Sequence, residues 1–291
     1  MMVRLEAVAI ELACWAADRI ARTPASGVTT KTHHADPVTA LDREIETVVR
    51  ARIIAEFAGH RLRGEEFGDT GPATAEYTWY CDPIDGTTNY ANGISWCSFS
   101  VTCFDRQGPL VGVVSDPFRR ELYVGRRGDG CEVMVLDDER RPVPGQVLPL
   151  AAHPGTTLAG TVVTTEWSTH QPWPGMGQTI ATLAARGCTV RVMGSSALSL
   201  IQAAAGRAAG CIIGTYSPMD GSAAALIAHE AGMIVFDDQG RRTLHPDGGG
   251  ILIAAPGVAE QLLSAWQAGL TAAAGHGNGL AHCTDGISTS R

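Results

Sequence analysis

The chain has 291 residues, 45% of them hydrophobic, and a formal net charge of −8. That is enough for one large globular domain or two of ordinary size, and it excludes a wholly disordered chain. No apolar run approaches the roughly 20 residues that span a bilayer, and an excess of acids argues against a general nucleic-acid-binding surface.

The first expected element is a helix, because Leu5, Val8, Ala9, Leu12, Ala16 and Ile20 recur at helical spacing up to Thr23-Pro24. Arg4, Glu6, Glu11 and Asp18 interrupt it, so it lacks the unbroken core of a secretion signal. A polar stretch from Ser26 to Asp36 carries Lys31, His33 and His34 and leads into a second helix through Ile45, Val48, Val49, Ile53 and Phe57, with Gly59 as its stop. Thr39 suits the N-cap of that helix and Asp42 its N3 position, so Asp42 reads as a capping-box carboxylate favoured by the helix dipole. Beyond it, Arg63-Gly64-Glu65-Glu66-Phe67-Gly68 sets paired acids between glycines, which by itself is a solvated turn.

In Trp79-Tyr80-Cys81-Asp82-Pro83-Ile84-Asp85-Gly86-Thr87-Thr88-Asn89 an apolar, aromatic run stops at two carboxylates, a glycine and two hydroxyls. The pattern reads as a strand end in which Pro83 fixes the backbone between the acids and Gly86 permits a tight turn or the close approach of a phosphate. Thr87 adds a hydroxyl, and with Gly86 it offers N–H groups at a helix start that suit a phosphate oxygen. Strand signals follow at Ser95–Phe104, Leu110–Val114, Glu121–Val124 and Cys131–Val135, joined by turns, which makes a mainly antiparallel sheet.

From Arg141 to Pro149 the texture turns proline-rich, which marks a boundary between subdomains. The expected division is residues 1–147, with the antiparallel sheet and most acids, residues 148–270, and a mobile tail over residues 271–291. Within the second part strands at Ala159–Thr164, Cys188–Val192, Ala209–Ile213, Met233–Phe236 and Ile251–Ala254 alternate with helices at Met176–Ala185, Ser195–Ala205, Asp220–Ala231 and Val258–Ala268, which is α/β logic. Glu166–Gly177 reads as a loop over the site. The eight cysteines contain no C-x-x-C pair and suit buried, reduced thiols in a cytoplasmic protein.

Glu65, Asp82, Asp85 and Asp220 are the acids that can converge. Oxygen donors without Cys or His select hard cations such as Mg²⁺, and an acidic site that handles phosphate needs such cations to offset repulsion. Competing local readings stand beside this one. Asp220 suits a helix N-cap, and Asp82 and Asp85 suit Asx turns, although turn chemistry does not require the whole string around them.

The ordered series resembles the inositol monophosphatase family of lithium-sensitive, Mg²⁺-dependent phosphatases. Asp36-Pro37-Val38-Thr39-Ala40-Leu41-Asp42 matches its D-x-V-T-x-x-D, Gly64-Glu65-Glu66 its G-E-E, and Asp82 through Asn89 its D-P-I-D-G-T-x-N. Val113–Pro117 with Glu121-Leu122-Tyr123, Arg191 with Gly194-Ser195-Ser196-Ala197, and Asp220 with Glu230-Ala231-Gly232 follow in the family's order. The resemblance implies a layered α-β-α-β-α sandwich of two packed subdomains, α+β in the first half and α/β in the second, with the site between them and a homodimer as the assembly. It implies that Glu65, Asp82 and the Ile84 carbonyl hold one Mg²⁺, that Asp82, Asp85 and Asp220 hold a second, and that a weaker third leans on Glu65. Asp42 and Thr87 then resemble the pair that orients and deprotonates the attacking water, with Glu65 beside them. Gly86 and Thr87 would receive the phosphate, Gly194, Ser195 and Ser196 would line the pocket, and Lys31 stands where the family often has a loop lysine.

Such a site hydrolyses a small phosphorylated alcohol without a covalent intermediate. The aspartyl-phosphate phosphatases, whose D-x-D-G-T motif is similar, need an acid/base carboxylate two residues after the nucleophile, and here that position is Ile84. The identity of the alcohol is open. Inositol-hydrolysing enzymes place an acid about seven positions before the aspartate equivalent to Asp220, and losing such a hydrogen-bonding group changes substrate preference strongly. Cys211 to Met219 contains no carboxylate. Tyr216 there suits stacking on a base or sugar face, which makes a nucleoside monophosphate or 3'-phosphoadenosine-type substrate the alternative to an inositol or sugar phosphate. A non-catalytic binding or regulatory member of the family is the other alternative, and the intact set of acids argues against it.

Overall fold

The computed structural model describes residues 1–30, 37–168 and 171–277. Helix α1 (Met2–Arg22) turns Leu5, Val8, Ala9, Leu12, Ala16 and Ile20 inward, as their spacing dictates. Short strands β1 (Thr29–Thr30) and β2 (Pro37–Val38) pair before α2 (Ala40–Glu56). Then come β3 (Arg61–Gly64), β4 (Gly68–Thr70), β5 (Thr78–Asp85), the single-turn α3 (Thr87–Ala91), β6 (Ser98–Asp105), β7 (Gly108–Asp116), β8 (Glu121–Arg126), β9 (Cys131–Leu136) and β10 (Pro142–Pro149).

Strands β3 to β10 make one eight-stranded sheet in the order β10-β9-β8-β7-β6-β5-β3-β4, antiparallel except where β3 runs beside β5. The proline-rich segment expected to separate two subdomains is thus itself paired, as the edge strand β10 against β9. An edge suits it, because prolines have no N–H to give a second neighbour.

The remaining elements are β11 (Val162–Glu166), α4 (Met176–Ala185), β12 (Thr189–Val192), α5 (Ser196–Ala204), β13 (Gly210–Ile213), α6 (Pro218–Glu230), β14 (Ile234–Asp237), β15 (Ile251–Ala254) and α7 (Ala259–Gly277). They form a five-stranded sheet in the order β12-β11-β13-β15-β14, parallel through β12, β11 and β13 and antiparallel beyond. Helix α7 continues to Gly277, so the start of the expected tail is helical.

Helices α1 and α2 cover the outer face of the large sheet, α5 and α6 lie between the two sheets, and α4 and α7 cover the small sheet from outside. This is the α-β-α-β-α sandwich, and its middle layer explains an oddity of β6. The polar row Ser98, Ser100 and Thr102 is buried because it faces the middle layer: Ser98 meets Asp85 and the Ser195 cap of α5, and the Ser222 hydroxyl of α6 donates to Thr102 Oγ1 at 2.9 Å. The seven described cysteines are all free thiols. Among the described residues no helix is long and apolar enough to cross a membrane.

Candidate active site

The site is assembled where β5 ends, α2 and α6 begin, and α5 points its N-terminus at the large sheet. Along β5, Asp82 pairs with Ser100 of β6 and Asp85 with Ser98, so the pairing shifts register across Pro83-Ile84. A bulge of this kind re-aims side chains, and here it sits between the two acids. Asp82 Oδ1 accepts the Ile84 N–H at 3.0 Å, and both carboxylates are buried. Gly86 follows at φ 92°, a left-handed conformation, and a Cβ on it would lie 2.9 Å from the Gly194 carbonyl oxygen and 3.0 Å from that of Trp96. Only glycine brings the chain through that gap to start α3 at Thr87.

Asp42 does cap α2, and it does more. Its Oδ2 accepts the Thr39 N–H at 2.8 Å and the Thr39 hydroxyl, while its own N–H donates to Thr39 Oγ1 at 3.4 Å, a closed capping box. Oδ1 is left to face the Thr87 hydroxyl, 3.3 Å away, and that hydroxyl also donates to the Ile84 carbonyl at 2.8 Å. Burial pushes the Asp42 carboxyl above its ordinary range, opposed by its bonds to Thr39 and Thr87.

Asp85 is held differently. Its Oδ1 accepts Ser196 N–H at 3.0 Å, and its Oδ2 accepts Ala197 N–H at 2.9 Å, the Ser98 hydroxyl at 3.2 Å and the Ser195 hydroxyl. The N-terminus of α5 is therefore neutralised by an acid from the other half of the chain. Ser195 is the N-cap of α5, accepting Leu198 N–H at 3.3 Å, and is buried away from the pocket, whereas Ser196 and Gly194 line it. Asp220 sits in the first turn of α6, where Ser217 is the cap and its hydroxyl donates to Asp220 Oδ1 at 3.2 Å.

Glu65, Asp85, Thr87, Ser196 and Asp220 all line one cavity of 680 Å³. Asp82 lies buried behind them. Burial first, then the negative charges of Glu65, Asp220 and Asp85, push its carboxyl far above the usual range. Among the described residues that line the cavity there is no Lys, Arg or His. As the side chains stand, no three Asp, Glu, His or Cys among the described residues close on a single metal-ligating point. Three hydrogen bonds hold the Asp85 carboxylate on α5 and its cap, and a fourth comes from Ser98 of β6. Lys31 and Asp36 lie outside the described residues.

Tyr216 is placed otherwise than its sequence position suggests. It does not line the cavity; its hydroxyl meets His245 Nδ1 at 3.2 Å, and burial pushes its ionisation far upward. Three residues that do shape the cavity carry no individual expectation from the sequence. Glu166, at the end of β11, accepts Met193 N–H at 3.1 Å, Gly194 N–H at 2.7 Å and the Ser199 hydroxyl at 2.5 Å, and burial pushes its carboxyl up to about 7. Trp167 follows it on the cavity wall. Asn89 donates to the carbonyls of Trp96 at 2.8 Å and Met193 at 2.7 Å, tying α3 to the loop before α5. The expected strand stops at Thr164, two residues short, which left Glu166 in a loop.

A family model described as the inositol monophosphatase family matches residues 2–271. The chain is 32% identical over 231 residues to the Nus factor SuhB of Pasteurella multocida, covering 79% of this chain and 82% of that protein. It is 32% identical over 229 residues to human inositol monophosphatase 2, covering 76% and 75%. Among solved structures, the inositol monophosphatase of Anabaena (Nostoc) sp. PCC 7120 superposes with a TM-score of 0.74 at 27% identity, covering 92% of this chain and 98% of that one.

Proposed function

The chain belongs to the inositol monophosphatase family and is a phosphatase, and from that premise we propose that it is a Mg²⁺-dependent phosphomonoesterase that hydrolyses a small phosphorylated alcohol with an activated water. The observation that carries this reading is the contact of Thr87 Oγ1 with Asp42 Oδ1 at 3.3 Å beside a buried group of acids.

The donor set fits hard divalent cations. All its side chains are oxygen donors, and a cation would offset both the burial and the repulsion by neighbouring acids that raise Asp82. Glu65, Asp82 and the Ile84 carbonyl would hold one Mg²⁺, and Asp82, Asp85 and Asp220 a second, with Glu65 leaning toward a third. Bound there, the ions lower the pKa of a water and offset charge on the phosphate and on the leaving alkoxide.

The chain's own groups supply direction. With Oδ2 tied to Thr39, Asp42 turns only Oδ1 toward the site. The Thr87 hydroxyl can pass its proton to that oxygen while accepting one from water, so the pair acts as a general base. A raised Asp42 pKa makes the carboxylate a better acceptor near neutral pH. Gly86 and Thr87 N–H groups at the start of α3 would face phosphate oxygens.

Phosphate release from a panel of phosphomonoesters, with and without Mg²⁺ and with Asp82→Asn as control, tests the reading. Mg²⁺-dependent release by the wild-type protein that is lost in the variant is expected. No release from any ester, or a phosphoryl group trapped on Asp82 during turnover, would overturn it.

A further inference from the structure

The groups assigned so far serve the phosphate end of the cavity, and its outer wall has another character. Trp167, just after β11, and Val192 and Met193, at and just after the end of β12, all line it. Trp167 is 51% exposed and Val192 43% exposed. A large indole left bare at the rim of a polar cavity has apolar area to lose only when something flat covers it.

The backbone on either side of Trp167 is tied down. On one side Glu166 is fixed by three donors, the N–H groups of Met193 and Gly194 and the Ser199 hydroxyl. On the other, Ser168 and Gln171 exchange backbone hydrogen bonds of 2.8 and 3.1 Å, and the Ser168 hydroxyl meets that of Thr215. Pinning both neighbours of an uncovered ring lowers the ordering cost of a contact made there.

The same wall lacks what a polyol needs. The position seven residues before Asp220 is Ile213, which is 5% exposed and paired across the strands with Glu166. Glu166 does line the cavity, but its carboxylate is already engaged by the three donors named above. The hydroxyls of Thr215 and Ser217, also on the lining, are engaged as well, with Ser168 and with Asp220. A cavity of 680 Å³ lies within the range of about 300–1,000 Å³ typical of sites for molecules larger than bare phosphate.

From this geometry we infer that the alcohol half of the substrate carries a flat aromatic or heteroaromatic ring that stacks on Trp167, flanked by Val192 and Met193. The inference rests on the phosphatase reading and names its substrate class. It moves the stacking role from Tyr216, which is turned into the protein, to Trp167.

The test compares kcat/KM with Mg²⁺ for benzyl phosphate and adenosine 5'-monophosphate against glycerol 2-phosphate and inositol 1-phosphate. None is a phenyl ester, and because the alcohols still differ as leaving groups, the change in the ratio between wild type and Trp167→Ala, which holds each ester fixed, isolates the ring contact. Ring-bearing esters are expected to be favoured at least about tenfold, a typical effect of one stacking contact. Trp167→Ala should lower the ring-to-polyol ratio about tenfold, mostly through KM, and Trp167→Phe should restore most of it. A ratio near one in the wild-type protein, or a ratio that Trp167→Ala leaves unchanged, would overturn the inference. If no ester is hydrolysed, the phosphatase reading falls, and calorimetric binding of benzyl phosphate then decides the shelf: binding weakened by Trp167→Ala supports it, and equal or absent binding in both proteins removes it.

Discussion

The carboxylate of Asp85 accepts the backbone N–H of Ser196 at 3.0 Å, so an acid at the end of β5 closes the N-terminus of a helix more than a hundred residues later in the chain. Ala197 N–H adds a second such bond at 2.9 Å. The acid is therefore both a member of the acidic site and a clasp between the two sheets. Asp85→Asn should lose on both counts. An amide keeps one acceptor but turns an N–H₂ toward donors, and it loses the charge that complements the helix dipole. Urea unfolding should show a loss of about 1–3 kcal/mol, and phosphate release should fall at least as far as in Asp82→Asn. An unchanged midpoint would show that α5 finds its cap elsewhere.

Asp42 and Thr39 separate a structural role from a chemical one. Asp42→Asn preserves size and leaves an oxygen that can face Thr87, but it removes the base, so kcat should fall by about 10²–10⁴ with KM little changed. Thr39→Ala removes the cap, costing about 1 kcal/mol of stability, and frees the Asp42 side chain to turn. Its kcat should fall less than that of Asp42→Asn. Equal losses of kcat would mean that Asp42 works only by holding α2.

Glu166 makes stability depend on pH in a defined window. Its carboxyl rises from an ordinary 4.5 to about 7 in the folded protein. Between those values the folded state keeps a proton that the unfolded state has released, so stability declines as pH rises from 4.5 toward 7 and levels off above. A shift of this size corresponds to about 3 kcal/mol across the window. Glu166→Gln does not titrate there. The difference in unfolding free energy between wild-type protein and variant, measured in EDTA from pH 4.5 to 7.5, should therefore shift by about that amount, with the wild type gaining ground at the acid end. A constant difference would mean that Glu166 ionises normally.

What the sequence made legible follows from how local the cause is. The Thr39–Asp42 capping box and the inward face of α1 are each set by residues close in the chain, whereas β5, expected to end before Asp82, runs on through Asp85 with a shift of register between the two acids, because Ser98 and Ser100 of β6 pair with them. The switch from antiparallel to alternating elements was readable from the pattern of residues, and the layered fold from the family resemblance that the ordered motifs carry. The direction of Tyr216 was not, because it depends on His245, which approaches from beyond β14. Glu166 and Trp167 stayed hidden for a related reason: their significance lies in Met193, Gly194, Ser199 and Thr215, which reach them only through the folding of the five-stranded sheet. The proline-rich segment forms the last strand of the large sheet, and the sequence alone does not show that pairing, because an edge strand and a linker share that composition.

Gly64 offers the sharpest test that the site is supported from behind. Glu46, buried inside α2, accepts the Glu66 N–H at 2.6 Å and the Phe67 N–H at 3.0 Å, and Arg50 Nε holds the same carboxylate at 2.8 Å. These bonds fix the turn that carries Glu65 into the cavity. A Cβ on Gly64 would fall on the Glu46 carboxylate, which cannot retreat without releasing the turn or Arg50. Gly64→Ala should therefore displace Glu65 although it changes no ligand. The expected signature is a rise of about tenfold or more in the Mg²⁺ concentration needed for half-maximal phosphate release, the scale seen when a ligand's supporting partner is removed. A stability loss of about 1–3 kcal/mol should accompany it, from overpacking. Glu46→Gln, which keeps the volume but weakens the hold on two N–H donors and Arg50, should shift the Mg²⁺ requirement in the same direction by a smaller amount. A normal Mg²⁺ requirement in both variants would show that Glu65 is placed without help from Glu46.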